Sequence, residues 1–297
     1  MKNKKVWFIG LGLSVLIMAG VYYFYNKAST TSPTWSDLSY SSVSATNKLD
    51  IYLPSSTSTS PFPVVVWIHG GAFKMGDKSG VQSLSRLLKE GYAVVSVDYR
   101  LSSEAIWPAQ LTDMENIVKF LKLNADKYKI DANRIASWGA SAGGFLSSIM
   151  GSALADNPET RIKATVDWYG PVDFYDMDAD IAKTGVSRQT GNNGDADSPE
   201  SALLGKTVKE NKELSYQVSP LSYVEKAKSL PAFLIMHGGQ DPMIGAPQSE
   251  RLYNAISTKF GTSSVEYHLL PNGTHGGGDF QTVEAEDTVI NFLKKNL

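Results

Sequence analysis

Ser141 is the residue around which a chemical reading of this chain collects. It stands in Gly139-Ala140-Ser141-Ala142-Gly143, a G-x-S-x-G spacing. The run Arg134–Trp138 before it has the length and apolar pattern of a buried strand, and Ala142–Met150 after it suits a close-packed helix. A strand-turn-helix of this kind holds its serine in a sharp turn that only small neighbours permit. It also aims the free N–H groups and positive end of the helix at a developing anion. Every close neighbour of Ser141 is Gly or Ala. Small residues that merely let a helix pack on a sheet would give the same five letters, so other groups have to decide.

A serine hydroxyl at neutral pH needs a base to take its proton. The base in turn needs a third group that fixes its tautomer and stabilises its charged form. The histidines are His69, His237, His268 and His275. Chain order at such elbows runs nucleophile, acid, base, which leaves His268 and His275. His268 lies inside the alternating run Val265–Leu270, where it packs or faces a neighbour. His275 follows that strand in the glycine-rich loop Pro271–Gly278, from which an imidazole reaches over the elbow, and is the predicted base. For the acid, the run Phe233–His237 ends in a glycine turn that delivers Asp241 at its carboxyl end. Asp173, one strand earlier, is the competitor, and Asp241 lies nearer in sequence to the segment bearing His275. Acyl chemistry further requires backbone donors for an oxyanion. His69-Gly70-Gly71-Ala72 supplies them directly after the apolar run Pro63–Ile68: the expected donors are Gly71, Ala72 and Ala142, with Gly70 as a substitute for Ala72. His69 reads as a structural hydrogen-bonder of that loop.

These groups need a frame that places strand ends side by side. A hairpin at Tyr40–Leu53 precedes the Pro63–Ile68 strand. Then come a helix at Gly80–Glu90, a strand at Tyr92–Asp98, a helix at Leu111–Asn124, the elbow, and strands at Ala164–Tyr169, Ala232–His237 and Val265–Leu270. This alternation predicts an α/β fold with a mostly parallel sheet flanked by helices. Residues 176–219 break the rhythm with a polar stretch and short helical pieces at Pro199–Leu204 and Val208–Glu213, which reads either as a lid or cap insertion or as a plain surface excursion. No G-x-G-x-x-G joins a strand to a helix, and His69-Gly70-Gly71 lacks the Lys-Ser/Thr of a phosphate loop.

The chain has 297 residues, 42% of them hydrophobic, enough for one large globular domain. Residues 1–30 carry Lys2, Lys4, Lys5 and Lys27 without an acid, so the remainder holds 24 basic against 30 acidic residues, a balance unsuited to nucleic acid. With no cysteine, disulfides, thiolate metal sites and a cysteine nucleophile are excluded. Val6–Tyr25 is uncharged, follows three lysines and ends in Tyr22-Tyr23-Phe24-Tyr25. It is long enough to span a bilayer, with the lysines predicting a cytoplasmic N-terminus and the rest of the chain outside. An uncleaved anchor is preferred over a signal peptide, because bulky aromatics precede the only small-residue site, near Ala28. The expected organisation is a signal-anchor at 1–27, a Ser/Thr-rich tether at 28–36 and a catalytic domain at 37–297. Cleavage of the anchor would make the protein secreted.

The same residues resemble the α/β-hydrolase superfamily, and within it the hormone-sensitive-lipase-like carboxylesterases and the allied bacterial acetylesterase/feruloyl-esterase group. The resemblance runs from about Tyr40 to the C-terminus. Its carriers include Leu49–Pro54, His69–Phe73 with Gly76-Asp77, Val97–Leu101, Pro108-Ala109-Gln110, Gly139–Gly144, Ser198-Pro199-Glu200-Ser201, Leu203-Leu204-Gly205 and Ser219-Pro220-Leu221. It implies Ser141 as nucleophile, Asp241 as acid, His275 as base, and the His69 loop with Ala142 as oxyanion hole. It also implies small acyl esters of acetyl or feruloyl type, free or linked to polysaccharide, as substrates, and no metal or organic cofactor. Two departures stand out: Ala72 where lipase-like members often have a third glycine, and Ala140 where they often have an acid. The second removes a charge beside the nucleophile. Among the aromatics, Trp107, Trp138, Trp168, Tyr169 and Phe73 are candidates for an acyl pocket, with core packing the safer reading for Trp138 and Trp168. A prolyl-oligopeptidase-type peptidase shares such a core but would need a gating domain of a size this chain lacks. A non-catalytic binding protein on the same fold would be expected to lose the serine or the histidine.

Overall fold

The structure, a computed structural model, describes residues 31–56 and 58–297; Val6–Tyr25, the predicted anchor, lies outside them. Among the described residues eight strands, β1 to β8 in chain order, form one sheet with the spatial order β1-β2-β4-β3-β5-β6-β7-β8. β1 (Trp35–Ser39) and β2 (Lys48–Tyr52) pair antiparallel, and β2 is antiparallel to β4 (Ala93–Val97). From β4 onward every pairing is parallel, through β3 (Phe62–Ile68), β5 (Ile130–Ala140), β6 (Ala164–Trp168), β7 (Ala232–Gly238) and β8 (Val265–Leu270). This is the mostly parallel α/β sheet expected from the alternation of elements, in the arrangement that the α/β-hydrolase resemblance implies.

Continuous apolar runs form the central strands because both faces are covered. Along β3 the side chains alternate: Val64, Val66 and Ile68 join the core on one face, Val65 and Trp67 the core on the other. In-register pairing sets Trp67 beside Trp138, and their rings meet edge to face at 5.6 Å; Trp138 in turn meets Trp168 at 4.9 Å. The three indoles form a ladder across the face of the sheet beneath the C-terminal helix Val283–Asn296. Burying a large apolar side chain contributes about 1.5–3 kcal/mol. The central strands are therefore the most costly part of the domain to deform, and functional loops hang from their carboxyl ends.

Four local differences from the sequence-based expectation stand out. The hairpin begins before Tyr40: β1 starts at Trp35, inside the segment assigned to the tether. Thr34 N–H donates to Ile51 O at 2.7 Å and the Trp35 ring packs on Tyr128 at 5.1 Å. Tertiary pairing and a buried ring thus override a Ser/Thr-rich composition, and the domain starts earlier than residue 37. The helix expected from Gly80 is shorter, Leu84–Lys89, entered through Ser83 in a left-handed conformation. Within residues 176–219 an additional helix forms at Met177–Thr184. Its apolar residues are few, but Met177 and Ile181 lie one turn apart and are buried, while Asp180 is gripped by Arg251 and Gln248 of the helix Pro247–Phe260. The second expected piece resolves into a short turn at Val208–Glu210 and a helix at Lys212–Val218. Among the described residues no helix is long and apolar enough to cross a membrane.

Candidate active site

β5 ends at Ala140 and the helix Ala142–Ala153 begins two residues later, so Ser141 alone makes the turn. Its backbone sits at φ 57°, ψ −122°, a region that residues with a side chain rarely occupy. Such strain persists only where the surroundings over-determine it. Here the surroundings are backbone: a Cβ on Gly139 would overlap the Gly143 carbonyl, and one on Gly143 would overlap Ile68 O. The elbow helix therefore lies directly on the ends of β3 and β5, and the G-x-S-x-G spacing is a requirement of close approach.

Two distant segments converge on the serine. His275, in the loop after β8, places Nε2 2.9 Å from Ser141 Oγ, and its Nδ1 lies 2.7 Å from Asp241 Oδ2 in the turn after β7. With the ring proton on Nδ1 facing the carboxylate, Nε2 is left to accept from the serine hydroxyl. The other carboxylate oxygen, Oδ1, accepts the N–H groups of Met243 at 2.8 Å and Ile244 at 2.9 Å. Burial alone would push the Asp241 carboxyl up; the His275 ring, His237 and the Ile244 N–H outweigh it and hold Asp241 below the usual carboxylate range. Exposure grades outward: Asp241 is 1% exposed, His275 7%, and Ser141 more than either. The imidazole also packs on Tyr169, ring centres 4.7 Å apart.

The loop after β3 runs beside the elbow. Gly70 approaches it so closely that a Cβ there would stand 2.8 Å from Ala140 O and 3.4 Å from Ser141 Cβ. Gly71, Ala72 and Phe73 follow with positive φ, and the Gly71 carbonyl accepts from Lys74 and Met75 N–H. Among the described residues no internal acceptor is paired with the N–H of Gly71 or Ala72. Ala142, the first residue of its helix, has an N–H without an intrahelical partner. Thus the four positions expected to donate lie in the loop beside Ser141 and at the helix start.

The alternatives settle elsewhere. Asp173 faces Arg251 at 3.7 Å, and His268 is largely exposed beside Glu266 at 3.9 Å. His69 is buried, stacks on Tyr99 at 4.4 Å, and has its pKa lowered to about 4 by burial, so it is neutral and structural. Of the five aromatics considered for a pocket, Phe73, Trp138, Trp168 and Tyr169 are core, while Trp107 keeps partial exposure and packs edge-on to Phe145 of the elbow helix. The residue that sequence reasoning missed is His237, which lies directly behind Asp241 with both ring nitrogens occupied. The only sequence signal was its place four residues before Asp241 in His237-Gly238-Gly239-Gln240-Asp241. Among the described residues no cluster of His, Asp or Glu is arranged to hold a metal ion.

Sheet order, elbow and loop placement together define an α/β-hydrolase, and solved relatives of that fold include a bacterial heroin esterase (TM-score 0.71, 20% identity, 95% of this chain and 89% of that one). The BD-FAE family model matches residues 49–256, so this chain belongs to the BD-FAE family of α/β-hydrolase-type esterases. Among curated relatives, esterase LipC of Mycobacterium tuberculosis is 29% identical over 77% of this chain and 56% of its own length. Esterase LipQ of the same organism is 27% identical over 87% and 61%. The chain thus spans about three-fifths of the length of these relatives. A truncated carbohydrate esterase from gut microbiota superposes with a TM-score of 0.75 at 29% identity, covering 91% of this chain and 97% of that one.

Proposed function

We propose that this protein is a serine carboxylic-ester hydrolase that acts through an acyl-enzyme on small acyl esters of acetyl or feruloyl type. The observation that carries the reading is the unbroken contact from Ser141 Oγ to His275 Nε2 and on to Asp241. In this reading Ser141 Oγ attacks the ester carbonyl carbon while its proton passes to His275 Nε2. The carbonyl electron pair moves onto oxygen, which the N–H groups of Ala142 and of Gly71 and Ala72 (or Gly70) receive. Each such donor is worth about 2.7–4 kcal/mol of barrier. Collapse breaks the ester C–O bond, and the leaving alcohol takes the proton from Nε2. Water then attacks the acyl-enzyme with the same base and releases the acid and free Ser141.

Carbohydrate-linked esters are supported as a substrate class by the names of the related proteins: a carbohydrate esterase from gut microbiota, and a bifunctional GH43-CE protein of Bacteroides eggerthii at 28% identity and TM-score 0.76. Placement outside the cytoplasm on an anchor at Val6–Tyr25 is part of the same proposal. It rests on the lysines and the apolar run alone.

The test is hydrolysis of p-nitrophenyl esters of increasing chain length, methyl ferulate and an acetylated xylan by the full chain and its Ser141→Ala variant. Activity on short acyl or feruloyl esters that vanishes in the variant is expected. Equal rates for both proteins would end the assignment, and a preference for long acyl chains would move it toward lipase. Membrane fractionation of cells expressing the full chain tests the anchor.

A further inference from the structure

His237 is fully buried at the end of β7, and each of its ring nitrogens has one partner. Nε2 lies 2.9 Å from the Ile244 carbonyl and Nδ1 2.6 Å from the Ser249 hydroxyl. A carbonyl can only accept, so the ring proton sits on Nε2 and Ser249 donates to Nδ1. That tautomer turns an N–H toward the acid turn, where Nε2 is also 3.6 Å from Asp241 Oδ2, the oxygen that faces His275. Ile244, whose carbonyl His237 holds, returns its own N–H to Asp241 Oδ1. One ring therefore grips the far end of the four-residue turn whose near end is the carboxylate.

We infer that His237 is a positioning residue for Asp241: a neutral imidazole, its Nε2–H fixed by the Ile244 carbonyl and its other edge anchored by Ser249, that clamps the Asp241–Ile244 turn so that Oδ2 meets His275. The inference rests on the ester-hydrolase reading above. Burial keeps the His237 ring below the ordinary histidine pKa against the pull of Asp241, and the charged groups bearing on it are Asp241 and His275. It thus stays neutral while His275 cycles, and offers a dipole where a second cation would compete for the same carboxylate.

The test compares wild type with His237→Phe, His237→Gln and Ser249→Ala, reading kcat, KM and the pH dependence of kcat/KM on p-nitrophenyl acetate. Phenylalanine fills the space without the donor. It is expected to lower kcat about 10- to 100-fold with KM nearly unchanged, because a small misplacement of a supporting group is felt mainly in the transition state. A carboxylate less firmly held against His275 steadies the protonated base less, so the acid limb of kcat/KM is expected to move to lower pH. Glutamine keeps an N–H near the Nε2 position and restores much of both. Ser249→Ala leaves the ring and its Nε2–H on the Ile244 carbonyl but removes the anchor at Nδ1, and shifts both in the same direction by less. A folded His237→Phe protein with wild-type kcat and limb overturns the inference. Should that variant fail to fold, an unchanged kcat and limb in Ser249→Ala overturns it. A fully active Ser141→Ala protein would instead remove the parent reading, whatever the His237 variants do.

Discussion

The backbone N–H of Ser141 donates to the carbonyl of Trp168 at 2.9 Å. The residue with the most unusual backbone in the elbow is thereby latched to the end of the neighbouring strand, and Trp168 is locked in turn by its contacts with Trp138 and Phe280. The hydroxyl owes its position to the ladder of indoles as much as to its own turn.

Asp241→Asn is expected to lower kcat on short esters by about 10⁴-fold while leaving the melting temperature close to wild type. Asparagine Oδ1 still accepts from Met243 and Ile244, so the turn survives. Its amide, however, faces Nδ1 of His275 with a donor and imposes the wrong tautomer. Steady-state kinetics beside a melting curve separates the two effects.

Gly143→Ala is expected to abolish a functional elbow. The added methyl overlaps Ile68 O, a backbone atom of the central strand that has no freedom to yield. A loss of at least 4 kcal/mol, on the order seen for the most severe single substitutions, should appear as poor soluble yield or a much lower urea midpoint. Wild-type stability would show that the elbow has slack.

Glu200→Gln should stabilise the protein at alkaline pH and not at acid pH. Glu200 is 6% exposed, its Oε2 has no partner, and burial followed by the charge of Asp178 raises its pKa to about 7. A folded-state pKa above the unfolded value of about 4.5 means that its protonated form favours the fold; this contribution is complete below pH 4.5 and lost as pH rises through 7. The charge therefore costs at most about 3 kcal/mol at pH 8. Melting curves of both proteins at pH 5 and pH 8 should diverge only at the higher value.

Arg251→Leu should destabilise by about 2 kcal/mol, the scale of hydrogen bonds to a charged group. Asp180 is fully buried and receives Arg251 Nε at 2.7 Å; it would retain Gln248 and the exposed Lys183. Urea unfolding measures the loss. A limited-proteolysis time course should place the first cuts within residues 176–219, because this arginine fastens the helix Met177–Thr184 to the helix Pro247–Phe260.

What could be read from the chain follows from where local rules are absolute. A strand-turn-helix with a side chain at its apex leaves no room for a Cβ at Gly139 or Gly143, so the glycine spacing pointed to Ser141. Strand ends bearing glycine loops likewise announced Asp241, His275 and the His69 loop. His237 stayed hidden because chain-order logic seeks one base and one acid and has no place for a second imidazole behind the acid. Trp35 was lost in a Ser/Thr-rich context, since its strand depends on Ile51 and Tyr128. The helix Met177–Thr184 reads as polar because its stabilising partner, Arg251, lies 71 residues from Asp180.

Ser141, Asp241, His275 and Gly71 each descend from a different strand end, whereas Trp107 and residues 176–219 belong to connections that contribute none of them. The proposed reacting groups and these connections thus lie on separate stretches of the chain. A designer could recut the segment around Trp107, which borders the elbow helix through Phe145, and leave Ser141, Asp241 and His275 where they stand; selection has the same freedom.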